Sequence, residues 1–425
     1  MGLALMSHPI FPPDILPFIF KEINSRQDLY SVCLTSRIFR IEGQLILFRH
    51  PGVLKIGVED LPHNSFLDAI IRSPNRLAPI VRSYEQNITW TTPLESEEIT
   101  NMLLPIACAA RKQEVVSSSK RSWLIERIGC ALRLMVNIKV LKIWDKDNNQ
   151  YHYPRPYLPD ILQYCKFQLH SLTWDRTGEE KPIVSQFLPH QKDLKDLDLG
   201  RQYTGRLYAD VVQPQQLTGI CLRLDSLSGS IAMTSLFLVP NDSRKRPVKC
   251  LRWTSNPEAY WQHRNIEVKQ LTGPLSKVQL LDYECEQRSP SLSELSSMLG
   301  KLTVLRMCVQ DLTWTSRTWK EDIVALGRLP ALRTLILSIY ETRHGCAPHM
   351  ANYDAPTKLS EQIFFCSKTL QCIDIHGLSS RAERHTRAAP SATLSSARIG
   401  SRSILKVCDE YCWSNRHCFL DDWIL

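Results

Sequence analysis

One short phrase recurs nine times between residues 138 and 375, and it limits the fold more than any other feature of the chain. Each copy has an aliphatic residue, two others, a second aliphatic residue, one other and a third apolar residue. The copies are IKVLKI, LHSLTW, LKDLDL, LTGICL, VKCLRW, VQLLDY, LTVLRM, LRTLIL and LQCIDI, starting at residues 138, 169, 194, 217, 248, 278, 302, 332 and 370. This spacing predicts strands with one buried face. Candidates for earlier copies lie at residues 53–56 and 81–84.

Short helix signals lie between the copies. Ser291 and Glu294 form a capping box, and the helix that they begin is expected to end at Gly300, directly before one copy. Residues 318–321 repeat the arrangement ahead of Gly327. A repeating unit of helix, glycine and strand predicts an α/β fold, in which helical crossovers join the strands of a parallel sheet.

From residue 138 to 377 the series resembles a degenerate leucine-rich-repeat solenoid. An ordinary α/β domain with parallel strands is the alternative. In such a repeat the residues between the aliphatic positions are expected to line an exposed inner face. These residues are Lys142, Trp144, Thr173, Asp175, Asp196, Asp198, Arg223, Arg252, Thr254, Asp282, Glu284, Arg306, Thr334, Asp374 and His376. Their mixed charges favour a protein ligand over the phosphate backbone of a nucleic acid. For most of these positions an ordinary solvated sheet face is the alternative.

The first fifty residues follow a different pattern. Pro12, Pro13 and Asp14 suit the first turn of a helix, where one backbone N–H has no partner and a negative charge is favoured. Two more apolar helices are expected before the stop at Pro51 and Gly52. A module of about forty residues has more apolar surface than its own core can use, so a partner or a neighbouring domain is expected to cover the rest.

The stretches FPPDILPFIF, DLYSVCLTSRIFR and LFRH, within residues 8–50, resemble the F-box. That resemblance implies docking onto the small adaptor of SCF-type cullin–RING ubiquitin ligases. Matched position by position, the adaptor-facing residues are Pro12, Ile15, Leu16, Ile19, Leu29, Val32, Leu34, Arg37 and Phe39. A helical hairpin that caps the next domain is the alternative. Gly43 costs about 1 kcal/mol relative to alanine inside a helix, so the third helix is expected to be short or weak.

Five segments are expected along the chain. They are an F-box-like helical module (8–50), a linking region with mixed helices and the first irregular repeats (51–137), the repeat array (138–377), a disordered linker (378–403) and a C-terminal tail that could dock as a cap (404–425). The linker is assigned because residues 378–403 are rich in Ser, Ala and Arg and lack apolar periodicity.

The chain carries no recognisable phosphate loop, dinucleotide fingerprint, HExxH or GxSxG motif, so neither a catalytic residue nor a cofactor is expected. Cys408, Cys412, His417 and Cys418 lack the spacing typical of zinc sites, so no metal is expected either. The 14 cysteines are scattered singly, which favours reduced thiols in the cytoplasm or nucleus. No segment has the roughly twenty apolar residues of a membrane helix.

These features together predict a non-catalytic substrate receptor that recruits a target protein to an SCF-type ubiquitin ligase. The expected partners are the small adaptor, the cullin and an unidentified target protein, with no nucleic acid and no membrane. The alternative is a leucine-rich-repeat interaction scaffold that is independent of ubiquitination, with the N-terminal helices as the solenoid cap.

Overall fold

The computed structural model describes residues 13–23, 25–56, 61–88, 123–145, 161–175, 182–200, 219–238, 246–254, 271–285, 290–310, 316–340, 356–376, 382–387 and 395–399. The chain divides into two compact units, Met1–Leu194 and Lys195–Leu425.

Unit 1 begins with three helices and continues with strands and further helices. The helices are α1 (Leu16–Lys21), α2 (Arg26–Thr35), α3 (Arg37–Arg49), α4 (Leu61–Arg72) and α5 (123–134). The strands are β1 (Val53–Ile56), β2 (Ser83–Ile88), β3 (Val140–Asp145) and β4 (Ser171–Asp175). Each strand pairs in parallel with the next one in the chain, so both candidate early copies are strands of this sheet.

Unit 2 has the same alternation. Its helices are α6 (Ile231–Leu238), α7 (Thr272–Leu275), α8 (Leu292–Ser296), α9 (Ser316–Gly327) and α10 (Pro356–Cys366). Its strands are β5 (Asp196–Asp198), β6 (Ser226–Gly229), β7 (Cys250–Trp253), β8 (Leu280–Cys285), β9 (Val304–Gln310), β10 (Thr334–Tyr340), β11 (Cys372–His376), β12 (Ala382–Thr386) and β13 (Ser395–Ile399). Strands β5 to β11 are parallel in chain order, whereas β12 and β13 are antiparallel.

The second aliphatic position of the phrase forms the centre of the unit 2 core. In register across seven strands lie Leu197, Leu227, Leu251, Leu281, Leu305, Leu335 and Ile373, all with 0% exposure. The predicted α/β class, with a parallel sheet and helical crossovers, is therefore confirmed. Ser291 and Glu294 also form the expected capping box at the start of α8.

One predicted strand lies in the wrong place. LTGICL, starting at residue 217, was expected to be a strand, but residues 219–223 form turns in which Gly219 and Cys221 have φ of 82° and 50°. The strand is β6, and the phrase starts instead at the buried Leu224. Its third apolar position is Gly229, which has no side chain to complete the pattern. Arg223, expected on the strand face, is thus an exposed turn residue.

Residues 378–403 were expected to be a disordered linker, but they include β12 and β13. Strand β12 is held by contacts that apolar periodicity does not reveal. Arg384 donates two hydrogen bonds, of 2.6 and 2.7 Å, to the carboxylate of Asp374 on β11. His385 continues the buried row of the core, in register with Ile373. The tail at residues 404–425 lies outside the described residues.

The third helix is not short: α3 runs without interruption from Arg37 to Arg49, through Gly43. Gly43 is buried, and a Cβ built at this position would clash with the Sγ of Cys33 on α2. The missing side chain thus lets α2 and α3 approach closely, which offsets the propensity cost of glycine.

We predict that Gly43→Ala lowers the free energy of unfolding by about 1–2 kcal/mol, because the added methyl group overpacks the contact with Cys33. In a Cys33→Ala background the same substitution should be neutral or stabilising, since alanine is the better helix former. Chemical denaturation of the four proteins of this cycle measures the coupling. Equal costs in both backgrounds would contradict the packing explanation.

A buried polar network lies in unit 1 between α4 and β2. His63 Nε2 lies 2.9 Å from the Tyr84 hydroxyl, which donates to Gln86 Oε1 over 2.9 Å. Gln86 occupies the position that is apolar in other copies, and all three side chains are at most 1% exposed. Burial lowers the pKa of His63 to about 4, because a charge there would lose its hydration.

We predict that the stability of unit 1 falls as the pH drops from about 6.5 to about 4. The folded-state pKa of His63 lies below its unfolded value, so the unfolded chain binds more protons in this window, and the loss approaches about 3 kcal/mol. Denaturation curves across this range test the effect. His63→Gln should flatten the slope, and an unchanged slope would assign the pH dependence to other groups.

Candidate protein-docking site

Helices α1, α2 and α3 form the N-terminal module, residues 13–50, around a small core of their own. Leu16, Phe20 and Leu29 are buried at its centre. Five partly buried side chains pack against them, namely Ile23, Val32, Phe39, Ile46 and Leu47. The rings of Phe20 and Phe39 meet edge to face, with centroids 5.5 Å apart. This core holds the three helices in a defined arrangement and consumes one face of each.

Local hydrogen bonds set where α2 and α3 begin. Ser25 caps α2, its hydroxyl accepting a 3.2 Å bond from the N–H of Asp28. Ser36 caps α3 in the same way, accepting a 3.1 Å bond from the N–H of Phe39. Such caps satisfy backbone donors that would otherwise lack partners.

The surface of this module is unusually apolar. Eight of the thirteen large apolar side chains that are exposed in the described part of the chain belong to it. They are Ile15, Phe18, Ile19, Tyr30, Leu34, Ile38, Ile41 and Leu45, with Phe18 68% and Leu34 60% exposed. Single exposed apolar residues are ordinary, whereas a concentration within some thirty residues is typical of a surface that a partner covers.

The structure divides the predicted adaptor-facing residues into two groups. Ile15, Ile19, Leu34 and Arg37 are exposed and available to a partner. Four others contribute to the module core instead: Leu16, Leu29, Val32 and Phe39. Pro12 lies outside the described residues.

Several exposed residues escaped the motif comparison. Tyr30 lies one turn before Leu34 on α2, and Ile38, Ile41 and Leu45 follow a three- and four-residue spacing on α3. That spacing places each set on one helix face. A search for a second apolar stripe, on the face opposite the module core, could have found them.

The end of α3 packs on the rest of unit 1. Phe48 stacks on Phe66 of α4, with ring centroids 5.7 Å apart. The backbone oxygen of Arg49 accepts a 2.9 Å hydrogen bond from the backbone N–H of Arg82, which lies just before β2. The end of α3 is therefore in contact with the rest of unit 1, while the eight apolar side chains named above stay exposed.

The predicted inner face of the sheet is largely buried, contrary to expectation. Seven of its residues are less than 9% exposed: Lys142, Thr173, Arg252, Thr254, Asp282, Thr334 and Asp374. Trp144, Asp175, Asp196, Asp198, Arg306 and His376 are half-buried. The side chain of Glu284 lies outside the described part of the structure.

Lateral ion pairs explain how charged residues are held on this face. In unit 1, Lys142 lies 2.9 Å from Glu85 on the neighbouring strand. In unit 2, Asp282 on β8 lies between two arginines, 3.4 Å from Arg252 Nε and 3.6 Å from Arg306 Nη1. Parallel strands lie about 4.8 Å apart, so charges in one register row reach each other directly. These charged side chains pair with one another, so the face is not a row of solvated side chains awaiting a ligand.

Within the described residues, no three His, Cys, Asp or Glu side chains come together as a candidate metal site. Cys408, Cys412, His417 and Cys418 lie outside that part of the chain. None of the helices in the described ranges is long and apolar enough to cross a membrane. The cysteines described are free thiols, and burial raises the pKa of Cys221 to about 12.

Comparison with known proteins gives no family for this chain. No protein-family model matches the sequence, and no curated protein is significantly similar to it.

We predict that Asp374→Ala destabilises unit 2 by about 3 kcal/mol, because it leaves the guanidinium of Arg384 partly buried without its carboxylate. Asp225→Ala is the matched control, since its pair with Lys249 spans 3.7 Å at half-exposed positions and should cost no more than about 1 kcal/mol. Urea denaturation compares the two. Equal losses would show that the buried pair has no special weight.

Proposed function

We propose that this protein is a non-catalytic substrate receptor that recruits a target protein to an SCF-type ubiquitin ligase. In this proposal the N-terminal module is an F-box that binds the small adaptor, and the adaptor in turn is held by the cullin. The observation that carries it is the concentration of exposed apolar side chains on α1, α2 and α3. The order of the FPPDILPFIF and DLYSVCLTSRIFR motifs supports the same assignment.

The strands and helices downstream would then form a degenerate leucine-rich-repeat solenoid that holds the target. Parallel pairing of β5 to β11 in chain order is the arrangement that such a solenoid requires. The chemistry would be left to other subunits. A receptor of this kind raises the effective concentration of the target beside the ubiquitin-charged enzyme, which needs no catalytic residue in this chain. Its place of action would be the cytoplasm, the nucleus or both.

The second candidate is a repeat scaffold that is independent of ubiquitination, with the N-terminal helices as its cap. The contact between Phe48 and Phe66, and the bond from Arg82 to the oxygen of Arg49, favour a capping role. Deleting residues 1–50 would expose these contacts under either function and so cannot separate the two. Substitution of exposed residues can.

We predict that Ile19→Glu with Leu34→Glu abolishes co-purification of the adaptor and cullin, because both side chains are exposed and a charge there opposes burial by a partner. The thermal melting temperature should change little, since neither residue belongs to the module core.

The matched control is Val136→Glu with Val324→Glu, which introduces the same charges at exposed apolar positions of unit 1 and unit 2. It should retain the adaptor. Adaptor binding that survives in the Ile19 and Leu34 variant would rule out the receptor assignment and favour the scaffold.

A further inference from the structure

The residues that precede strands β5 to β11, together with the residue that follows the antiparallel β12, form a hydrogen-bonded ladder along one edge of the sheet. Its members are Lys195, Asp225, Lys249, Gln279, Thr303, Arg333, Gln371 and Arg387. Each backbone N–H after the first donates to the carbonyl oxygen of the preceding member, over 2.8 or 2.9 Å. This ladder fixes the spacing of the side chains along the edge, and every one of them is exposed or half-buried.

The edge is strongly basic. It comprises the ladder and the turns that lead into it, residues 219–225, 246–249, 276–279, 297–303, 328–333 and 367–371. Asp225 is the single acidic residue of these segments, and Asp193 lies in the turn ahead of Lys195. The basic residues are Lys195, Arg223, Arg246, Lys249, Lys277, Lys301, Arg328, Arg333, Lys368 and Arg387. The whole chain has 52 basic and 43 acidic residues and a formal net charge of +9. The excess of basic over acidic residues in these edge segments is as large as that net charge.

Some of these cations stabilise the fold. Arg246 donates to the carbonyl oxygens of Ile220 and Phe237, and Arg387 donates to those of Lys368 and Ser367. Such bonds satisfy carbonyl groups that lack partners at the ends of helices and turns, where positive charge is favoured.

Lys249 pairs with Asp225 over 3.7 Å, but five further cations take part in no such contact. Lys195, Lys301, Arg328, Arg333 and Lys368 are exposed and form no ion pair with any described residue. Their charges point to a binding function for the edge, since a fold-stabilising contact does not account for them.

We propose that this basic edge of unit 2 binds an acidic segment of a partner protein. The proposal goes beyond the receptor function, because it requires nothing of the N-terminal module. Carboxylates of the partner would pair with the ammonium and guanidinium groups along the ladder.

The details favour a polypeptide over a nucleic acid or a membrane. The ladder uses its backbone N–H groups internally, so they are not available to phosphates. Among the described residues, two large apolar side chains are exposed close to the edge: Phe365, 88% exposed and three residues before Lys368, and Val324, 52% exposed and four residues before Arg328. Stacking of successive bases needs several aromatic rings, and insertion into a lipid surface needs an apolar face. One ring and one valine among many cations instead suit an acidic peptide with few apolar anchors.

Geometry and energetics agree with this assignment. An extended peptide advances about 3.3 Å per residue, and the strands that define the edge lie about 4.8 Å apart. A peptide lying along the edge therefore has at least one residue for each strand, so its carboxylates can reach successive cations. Exposed ion pairs are individually weak, about 0.2–1 kcal/mol each. The complex is therefore expected to form rapidly, to depend on several cations together and to weaken as salt screens the charges.

The test uses the full chain and a fluorescein-labelled polyglutamate peptide of about 20 residues, long enough to span several repeats. Fluorescence anisotropy at low salt measures its affinity. Substitution of Lys195, Lys301, Arg333 and Lys368 by glutamine should weaken binding about tenfold or more, because four exposed pairs are lost. The melting temperature should be unchanged, since these side chains are exposed.

The matched control removes four positive charges from exposed positions of unit 1. Its substitutions are Lys21→Gln, Arg40→Gln, Arg72→Gln and Arg133→Gln. It should bind the peptide within about twofold of the unmodified chain if the local edge matters more than the net charge. Equal losses in both variants, or no peptide binding by the unmodified chain, would overturn the proposal.

Two further ligands separate the other possibilities. Single-stranded RNA of equal charge and phosphatidylserine vesicles are titrated in parallel. Edge-dependent binding of either one, without edge-dependent binding of the peptide, would also overturn the proposal. The edge variant should still co-purify with the adaptor, so failure here is distinguishable from failure of the receptor function.

Discussion

The register of the parallel strands in unit 2 is the constraint on which its other features depend. Each residue of the core row, from Leu197 to Ile373, loses its solvent exposure partly to the same position of the neighbouring strand. A strand in isolation could not bury its apolar face, so each repeat is stable only against the next. A slip of one residue would exchange Leu281 with Asp282 and place a carboxylate in the core.

The same register organises the charges of unit 2 in two different ways. On the sheet face it brings opposite charges side by side. Asp282 lies close to two arginines, and the carboxylate of Asp374 accepts two hydrogen bonds from Arg384. On the edge it brings like charges together, and Asp225 is the single acid among the eight residues of the ladder. The charged residues of the face thus pair with one another, whereas most cations of the edge are exposed.

Local patterns predicted much of this fold, and they failed for identifiable reasons. The phrase located β7 to β11 because three apolar positions recur within each copy. It missed β6 because Gly229 contributes no side chain, and it missed β12 because Arg384 and His385 are stabilised by residues on β11. Gly43 indicated a weak helix by propensity, yet close contact with Cys33 makes the small residue suitable there.

The sequence by itself determined the α/β class, the strand order and the helix start at Ser291, because these depend on short-range periodicity and capping. Only the tertiary structure decided which apolar residues of the N-terminal module are core and which are surface. Leu16 and Ile19 are equally hydrophobic in a list of residues, but Leu16 faces Phe20 and Leu29 while Ile19 faces outward. Exposure is a property of neighbours in space, and in so short a module apolar residues occur on every helix face. For the same reason the burial of Asp282 and the convergence of cations on one edge emerge only when the strands align.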